Sequence, residues 1–587
     1  MNRHSDRQLF EKEVKRIAGE LIKLARRDEK GLYWISPGVH KQGEPVESND
    51  LFNGNAGIIL FFLALYDYDK KQVYLQTALD AAGRLLQHEQ VNHPQFYTFY
   101  GGAAGVLYVC IQLYKATGQT PYLEKALELE KDYRAGFNSR VNQYDLLSGQ
   151  AGILLAVLHL YANTKESSLL ITIDEIINKL ITGSHPGRTG LKWDTNKHGY
   201  DSLTGFSHGA SGIAFVLLQA AQFLQAPGLQ YLAMQAYEYE NNYYEQQTGN
   251  FMDLRVGAAR MTAIREQYQY ELNNWPIAAF QPTMSGISSW AHGAAGCAIS
   301  RLFAINTKHH QPYAGQARKA LAYSWQYFKQ QKLIDYSLSS GYGGIAAAFT
   351  LAAQVLNEPV WQTRASIIAR SAIAYYSKEH TYNSKIKRST TDCGLFSGLA
   401  GVGYWLLNCI QPHVANNIIH PAIDDTAINN EATEAISKKY SVENVKTYLR
   451  NNSQPDIING LRKKHTGFLQ FRQRWLLAQQ CFSALQQLTD TQWLNQHFKT
   501  ADHLVTTTEG EEQAPVLYYC HEAGIGKIPV PRFTIVLLER FNKGEKLAVV
   551  IDFIHSSFYT DEPESRVQQM IIEQVKELVK AGFLLAV

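Results

Sequence analysis

The chain has 587 residues, 45% hydrophobic and 19% charged, the composition expected of an ordinary soluble protein with ample core. Its 56 Lys and Arg against 53 Asp and Glu leave a net charge of +3, too small to argue for a nucleic-acid partner. No apolar run reaches membrane-spanning length, and the length calls for more than one domain.

The opening MNRHSDRQLFEKEVKRIAGELIKLARR lacks the unbroken apolar core of a secretory signal. The six cysteines, Cys110, Cys297, Cys393, Cys409, Cys481 and Cys520, are scattered without a C-x-x-C pair. Reduced thiols in a cytoplasmic protein are expected, mostly buried.

A Gly-x-x-Gly pair opening a long apolar run then recurs seven times. The pairs are Gly54–Gly57, Gly102–Gly105, Gly149–Gly152, Gly209–Gly212, Gly293–Gly296, Gly341–Gly344 and Gly398–Gly401, spaced by 48, 47, 60, 84, 48 and 57 residues. Repeats near this period mark a solenoid or a ring of like units. Runs such as Ile58 to Tyr66 and Ile153 to Tyr161 are apolar on every side, which predicts buried inner helices. Segments between them, such as Tyr122–Phe137 and Ala317–Gln331, carry apolar residues at three- and four-residue spacing and predict amphipathic outer helices. The predicted fold is all-α: an α/α toroid, a double ring of seven inner and seven outer helices, over residues 1–410. An open solenoid would leave one face of each inner helix uncovered.

The glycines have two readings at this stage. Lacking a Cβ, they let neighbouring helix starts crowd together. Seven converging helix N-termini would also present unpaired N–H groups and an electropositive cup.

Residues 411–430 are rich in Asn, Asp and Pro and read as a linker. A helical segment is predicted over 431–510, including Phe468–Leu485. Within 511–587, Val530–Phe541, Leu547–His555 and Val567–Ala581 read as helices, Asn542–Glu545 as a turn, and FLLAV as a short strand. This tail, from about Ala514, resembles the winged-helix, PqqD-like peptide-recognition module, which binds a leader peptide by strand addition. A capping or dimerising winged helix is the competing reading. The second helix, LAVVIDFIH, offers no Lys or Arg to a DNA groove.

The motif flanks FSHGASG, SWAHGAAG and YDLLSG, in that relation to the glycine pairs, resemble the LanC-like lanthionine cyclases over roughly residues 45–410. The resemblance implies a toroid that adds a peptide Cys thiol across a dehydroalanine or dehydrobutyrine in a lanthipeptide precursor. The precursor, leader plus dehydrated core, is then the substrate, and a dehydratase a possible partner. That family holds zinc with a Cys and a Cys-His pair. Here those positions are Ala291, Ser339 and Ser340, which lack the thiolates and imidazole that zinc favours. No metal and no cofactor is therefore expected, and Ile287 stands where active members can carry an Arg.

Asp145 and His208 match the family's acidic residue and motif histidine. A zinc-independent cyclase would use His208 and His292 as proton donor and acceptor, with Asp145 orienting one imidazole. A free thiol is already a few per cent ionised at neutral pH. The competing readings are Asp145 as a helix cap and His292 as a filler. Trp290, Ser339, Ser340 and Tyr342 are the candidate substrate-binding residues, and Cys393 reads as a buried spectator. Two other functions stay open: an inactive scaffold that binds precursor peptide or dehydratase, and, distantly, a toroid glycosidase, which would need two facing carboxylates.

Overall fold

Every Gly-x-x-Gly pair opens a helix, its first glycine standing at the N-cap. The computed structural model describes residues 3–37, 45–87, 94–193, 201–268, 280, 286–305, 310–330, 334–384, 391–413, 417–423, 431–453, 485, 488–501, 504–509, 514–521 and 524–587. The N-terminal α1 (Arg3–Leu24) precedes α2 (Asn55–Asp69) with its return helix α3 (Gln72–Leu85) and α4 (Ala103–Thr117) with α5 (Pro121–Ser139). Next come α6 (Gln150–Thr164) with α7 (Leu169–Thr182), and α8 (Ala210–Phe223) with α9 (Pro227–Glu240). After α10 (Ala258–Tyr268) follow α11 (Ala294–Ala304) with α12 (His310–Gln330), α13 (Tyr342–Val355) with α14 (Pro359–Glu379), and α15 (Leu399–Ile410).

The helices opened by glycine are buried all round, as α2 is from Asn55 to Leu65. The return helices bury one stripe, as α7 does with Leu169, Ile173, Ile176, Ile177 and Leu180. Contacts run α2, α4, α6, α8, α11, α13, α15 and back to α2. The last of these has α1 as its outer cover, so the N-terminal helix packs beside the final repeat.

Closure is visible atom by atom. The residue five before each second glycine donates its amide to the carbonyl of its counterpart in the next repeat: Phe52 to Tyr100, Tyr100 to Leu147, Leu147 to Ser207, Ser207 to Ala291, Ala291 to Ser339, Ser339 to Phe396, and Phe396 to Phe52, at 2.7 to 3.3 Å. One residue earlier, a bulky side chain lies against the second glycine of the next repeat. A Cβ built on Gly57 would lie 2.7 Å from the Cβ of Leu395, on Gly152 2.9 Å from that of Phe99, and on Gly212 2.9 Å from that of Leu146. Each would also strike its own turn, as Gly212 would meet the Phe206 carbonyl oxygen at 2.0 Å. Close approach of backbone and neighbour is what requires glycine there. The fold is mostly helical and of the α/α toroid type.

The expectation of unpaired N–H groups at the helix starts is corrected. The first-turn amides are taken by carbonyls of the turn before: Gln150, Ala151 and Gly152 donate to Gln143, Tyr144 and Asp145, and Leu399, Ala400 and Gly401 to Asp392, Cys393 and Gly394. Buried amides need partners, and the long turns supply them.

The stretch read as a linker also differs. Within it, Ile418 and Ile419 are fully buried. Their carbonyls accept from Tyr100 (3.2 Å) and the Trp290 indole N–H (2.7 Å), and Gln219 of α8 bonds the Pro421 carbonyl and the Ile423 amide, both at 2.9 Å. The chain passes into the core between inner helices before α16 (Glu431–Lys439) and α17 (Val442–Ser453) lie against α7 and α9.

Short hairpins β1 (Arg26–Asp28) with β2 (Gly31–Tyr33), β3 (Ile35–Pro37) with β4 (Pro45–Glu47), and β5 (His185–Pro186) with β6 (Leu191–Lys192) decorate the helices. Beyond the short α18 (Asp490–Trp493), strands β7 (Phe498–Thr500) and β8 (Leu504–Glu509) replace the predicted helix over the end of 431–510. The Thr-rich, β-branched LVTTTE suits a strand better than a helix; the Phe468–Leu485 helix lies outside the described residues except Leu485. β8, β9 (Ala514–His521) and β10 (Gly524–Pro529) form an antiparallel sheet in the order β10-β9-β8. Helices α19 (Arg532–Arg540), α20 (Leu547–Phe558) and α21 (Glu564–Lys580) follow, and β11 (Leu584–Ala586) pairs with β7. A second core holds them together, from Leu485 through Trp493, Leu538, Ile551 and Ile572 to Leu584. Strand β10 lies against β5 of the helical unit.

Candidate active site

The turns before the inner helices carry the candidate residues at one repeat position. Four residues before the second glycine stand Ser148, His208, His292 and Ser340 in the third to sixth repeats. Equivalent positions in adjacent repeats are neighbours around the ring, and so the His208 and His292 rings lie 6.0 Å apart, 22° from parallel.

Asp145 is fully buried and its two oxygens do different work. Oδ1 accepts the Ser148 amide at 2.6 Å and holds the turn, while Oδ2 lies 3.1 Å from His208 Nδ1. The aspartate supports its turn rather than capping α6, whose N-cap is Gly149 without a side-chain bond, and it also touches the His208 imidazole. The His208 side chain keeps a third of its surface open, which leaves it accessible to a solute.

His292 is different. It is 6% exposed, and its Nδ1 is buried without a partner. Burial first, and then the Arg255 charge, push its pKa down to about 3, with Asp253 opposing and His208 adding to the fall. A neutral imidazole is the consequence at ordinary pH.

Asp253 and Arg255 were not singled out by sequence. Arg255 Nη2 bonds Asp253 Oδ2 at 2.6 Å and Nε bonds Oδ1 at 2.9 Å. Burial raises the Asp253 pKa, but these bonds and the Arg255 charge outweigh it and hold it below the usual value. Their one signal is the 84-residue step between the fourth and fifth repeats, the insertion that supplies this loop.

Residues 45–424 match the family model described as lanthionine synthetase C-like protein. The chain belongs to that family. It is 23% identical over 379 residues to glutathione S-transferase LANCL1 of Danio rerio, covering 62% of this chain and 82% of the relative. Among solved structures it is similar to nisin cyclase, at 13% identity, TM-score 0.48, and 69% and 95% coverage of the two chains. It is also similar to cellobiose 2-epimerase from Spirochaeta thermophila DSM 6192, at 13% identity, TM-score 0.37, and 70% and 97% coverage.

The other predicted residues of this lanthionine synthetase C-like chain divide. Ala291 and Ser339 sit in the hydrogen-bonded ring, and Ser339 Oγ lies 3.3 Å from Ser340 Oγ, of which Ser340 is exposed. Trp290 is fully buried among Tyr100, Phe206 and Phe396, with its N–H on the Ile419 carbonyl. Tyr342 is buried against Phe328 and Tyr336. Both rings are packed in the hydrophobic core. Cys393 is buried, and burial pushes its thiol up to about 12.

The residues present do not fit zinc. Ala291 has no donor atom, the two serines face each other, and among the described residues no three His, Cys, Asp or Glu side chains converge on one point. Among those residues no helix is long and apolar enough to cross a membrane.

Proposed function

We propose that this protein closes thioether rings in a dehydrated precursor peptide without zinc, in a double ring of seven inner and seven outer helices. The carrying observation is the Asp145–His208 contact, because a carboxylate on Nδ1 fixes the tautomer and orientation of an imidazole. His208 takes the proton from a peptide Cys thiol. The sulfur adds to Cβ of a dehydroalanine or dehydrobutyrine, the C=C electron pair moves to Cα as an enolate, and the proton on His208 returns to Cα. One S–H is thereby added across one double bond. His292 lies beside His208 with burial disfavouring its charged form, so in this reading His208 alone carries the proton through the step, instead of sharing it with His292. A dehydratase acting earlier supplies the alkene.

The tail is assigned to leader recognition in the manner of a winged-helix, PqqD-like module. What supports this is a three-stranded sheet followed by three helices, lying against the β5–β6 hairpin. Lys192 of that hairpin pairs with Asp201 at 2.5 Å, just before the turn that carries His208. A second reading follows from the LANCL1 relative: a small thiol such as glutathione is the nucleophile instead of a peptide Cys.

The test is incubation of the purified protein with dehydrated peptide, followed by alkylation and mass spectrometry. Loss of free peptide thiols faster than in a protein-free control supports ring closure. Adducts that carry added glutathione support the second reading. Thiol counts equal to the control in both cases leave a binding scaffold.

A further inference from the structure

The turn that carries His208 has no acidic residue of its own. Around the ring, Asp50, Asp145, Asp335 and Asp392 each accept amides from their own turns. From Leu203 to Gly212 the sequence is LTGFSHGASG, and the carboxylate comes instead from Glu240 at the end of α9. Its Oε1 accepts the amides of Gly205 (2.8 Å) and Ser211 (3.2 Å), and its Oε2 accepts the Ser211 hydroxyl at 2.6 Å. One buried carboxylate thus grips the His208 turn on both sides.

Glu240 also pairs with Arg301, and neither side chain has any solvent exposure. Arg301 stands on α11, the helix that begins just after His292. Its Nη1 donates to the Ser211 hydroxyl at 2.6 Å, and its guanidinium lies over the rings of Tyr237 (4.2 Å) and Phe251 (4.6 Å). The two turns touch as well. Gly205 has φ +103, and a Cβ there would lie 3.3 Å from His292 Cα. Taking two charges out of water is costly, and packed apolar residues usually do as well for stability. A buried pair here therefore calls for a role other than stability.

We propose that Glu240 and Arg301 are positioning residues, a clamp that fixes the His208 turn against the His292 turn and so sets the spacing of the two imidazoles. Their role in ring closure rests on the cyclase reading; their role in geometry does not.

The experiment uses the full-length protein labelled with 13C at the histidine rings, with His208 and His292 assigned by single substitution. In a Glu240→Leu/Arg301→Met double variant that keeps its fold by circular dichroism, the ring resonances of both histidines shift, because their mutual ring-current contact is lost. If ring closure is active, kcat falls at least tenfold while KM stays within about twofold. Unchanged His208 and His292 resonances in the folded variant overturn the clamp, whatever the activity. Should the double variant fail to fold, Ser211→Ala removes only the hydroxyl bridge and is decided by the same two resonances. Shifted resonances with no ring closure even in wild type sustain the clamp and sink the cyclase reading alone.

Discussion

The amide of Phe396 donates to the carbonyl of Phe52 at 2.7 Å and joins the seventh repeat to the first. The bond repeats, one residue per unit, around the whole circuit. Turn residues at equal positions are consequently brought side by side, which is why His208 and His292 meet although 84 residues separate their glycine pairs.

Crowding at the second glycines predicts opposite signs for two alanine substitutions. Gly212→Ala would drive a Cβ to 2.0 Å from the Phe206 carbonyl oxygen and should cost about 1–3 kcal/mol. Gly315, inside α12, has nothing within 4 Å of such a Cβ, so Gly315→Ala should stabilise by roughly 0.5–1 kcal/mol. Urea unfolding of the two variants measures both. Equal effects would remove the close-approach argument.

The segment that enters the core predicts a penalty outside the repeats. Ile418 is fully buried, so Ile418→Ala should cost about 2–5 kcal/mol. A surface linker would give less than about 0.5 kcal/mol, and the unfolding midpoint tells them apart.

Acid should weaken the fold. Burial holds His159 and His292 at a pKa of about 3, against an ordinary value of 6.5. Between those values the unfolded chain binds protons that the native chain refuses, so stability falls as pH falls from 6.5. Each histidine contributes up to ~1.4 kcal/mol per pH unit. Buried Asp50 and Asp392, with raised pKa values, act the other way as they protonate. Replacing His159, whose Nε2 lacks a partner, with Phe should shrink the stability difference between pH 7 and pH 5 by roughly 2 kcal/mol. An unchanged difference in urea melts at the two pH values would refute this.

For the proposed activity, His208→Asn should lower the rate of ring closure by about 10²–10⁴ and leave peptide binding intact. Asp145→Asn keeps an oxygen for the Ser148 amide and loses only the charge facing His208, so its rate should fall between that variant and wild type. Single-turnover assays with binding measured in parallel decide the order. An inert Asp145→Asn would reduce the aspartate to turn support.

Much was legible along the chain, and the reasons are local. A Gly-x-x-Gly pair before an all-apolar run states that a buried helix starts there, and the count of seven with a common direction pointed to a ring. The tail helices from Arg532 onward were legible from the opening Val530-Pro531, the Asn542–Glu545 turn and the closing Gly582. His208 and Asp145 were singled out because they match the family's motif residues beside those glycines, and the fold brings the two side chains to 3.1 Å. Where local pattern was weak the expectation failed: the Asn-, Asp- and Pro-rich stretch 411–430 looked like a linker although it holds Ile418 and Ile419, and the short strands of 498–529 were missed.

Sequence alone determined that seven like helices must be buried and that their first turns must admit no Cβ, since both follow from side chains within a few residues. Only the tertiary structure decided what comes from far along the chain. It put α1 beside the last inner helix, Ile419 on Trp290, Arg255 near His292, and Glu240 under the His208 turn. Each of these satisfies a buried apolar surface, a hydrogen-bonding group or a charge whose partner has no fixed separation in sequence, so no spacing rule could announce it.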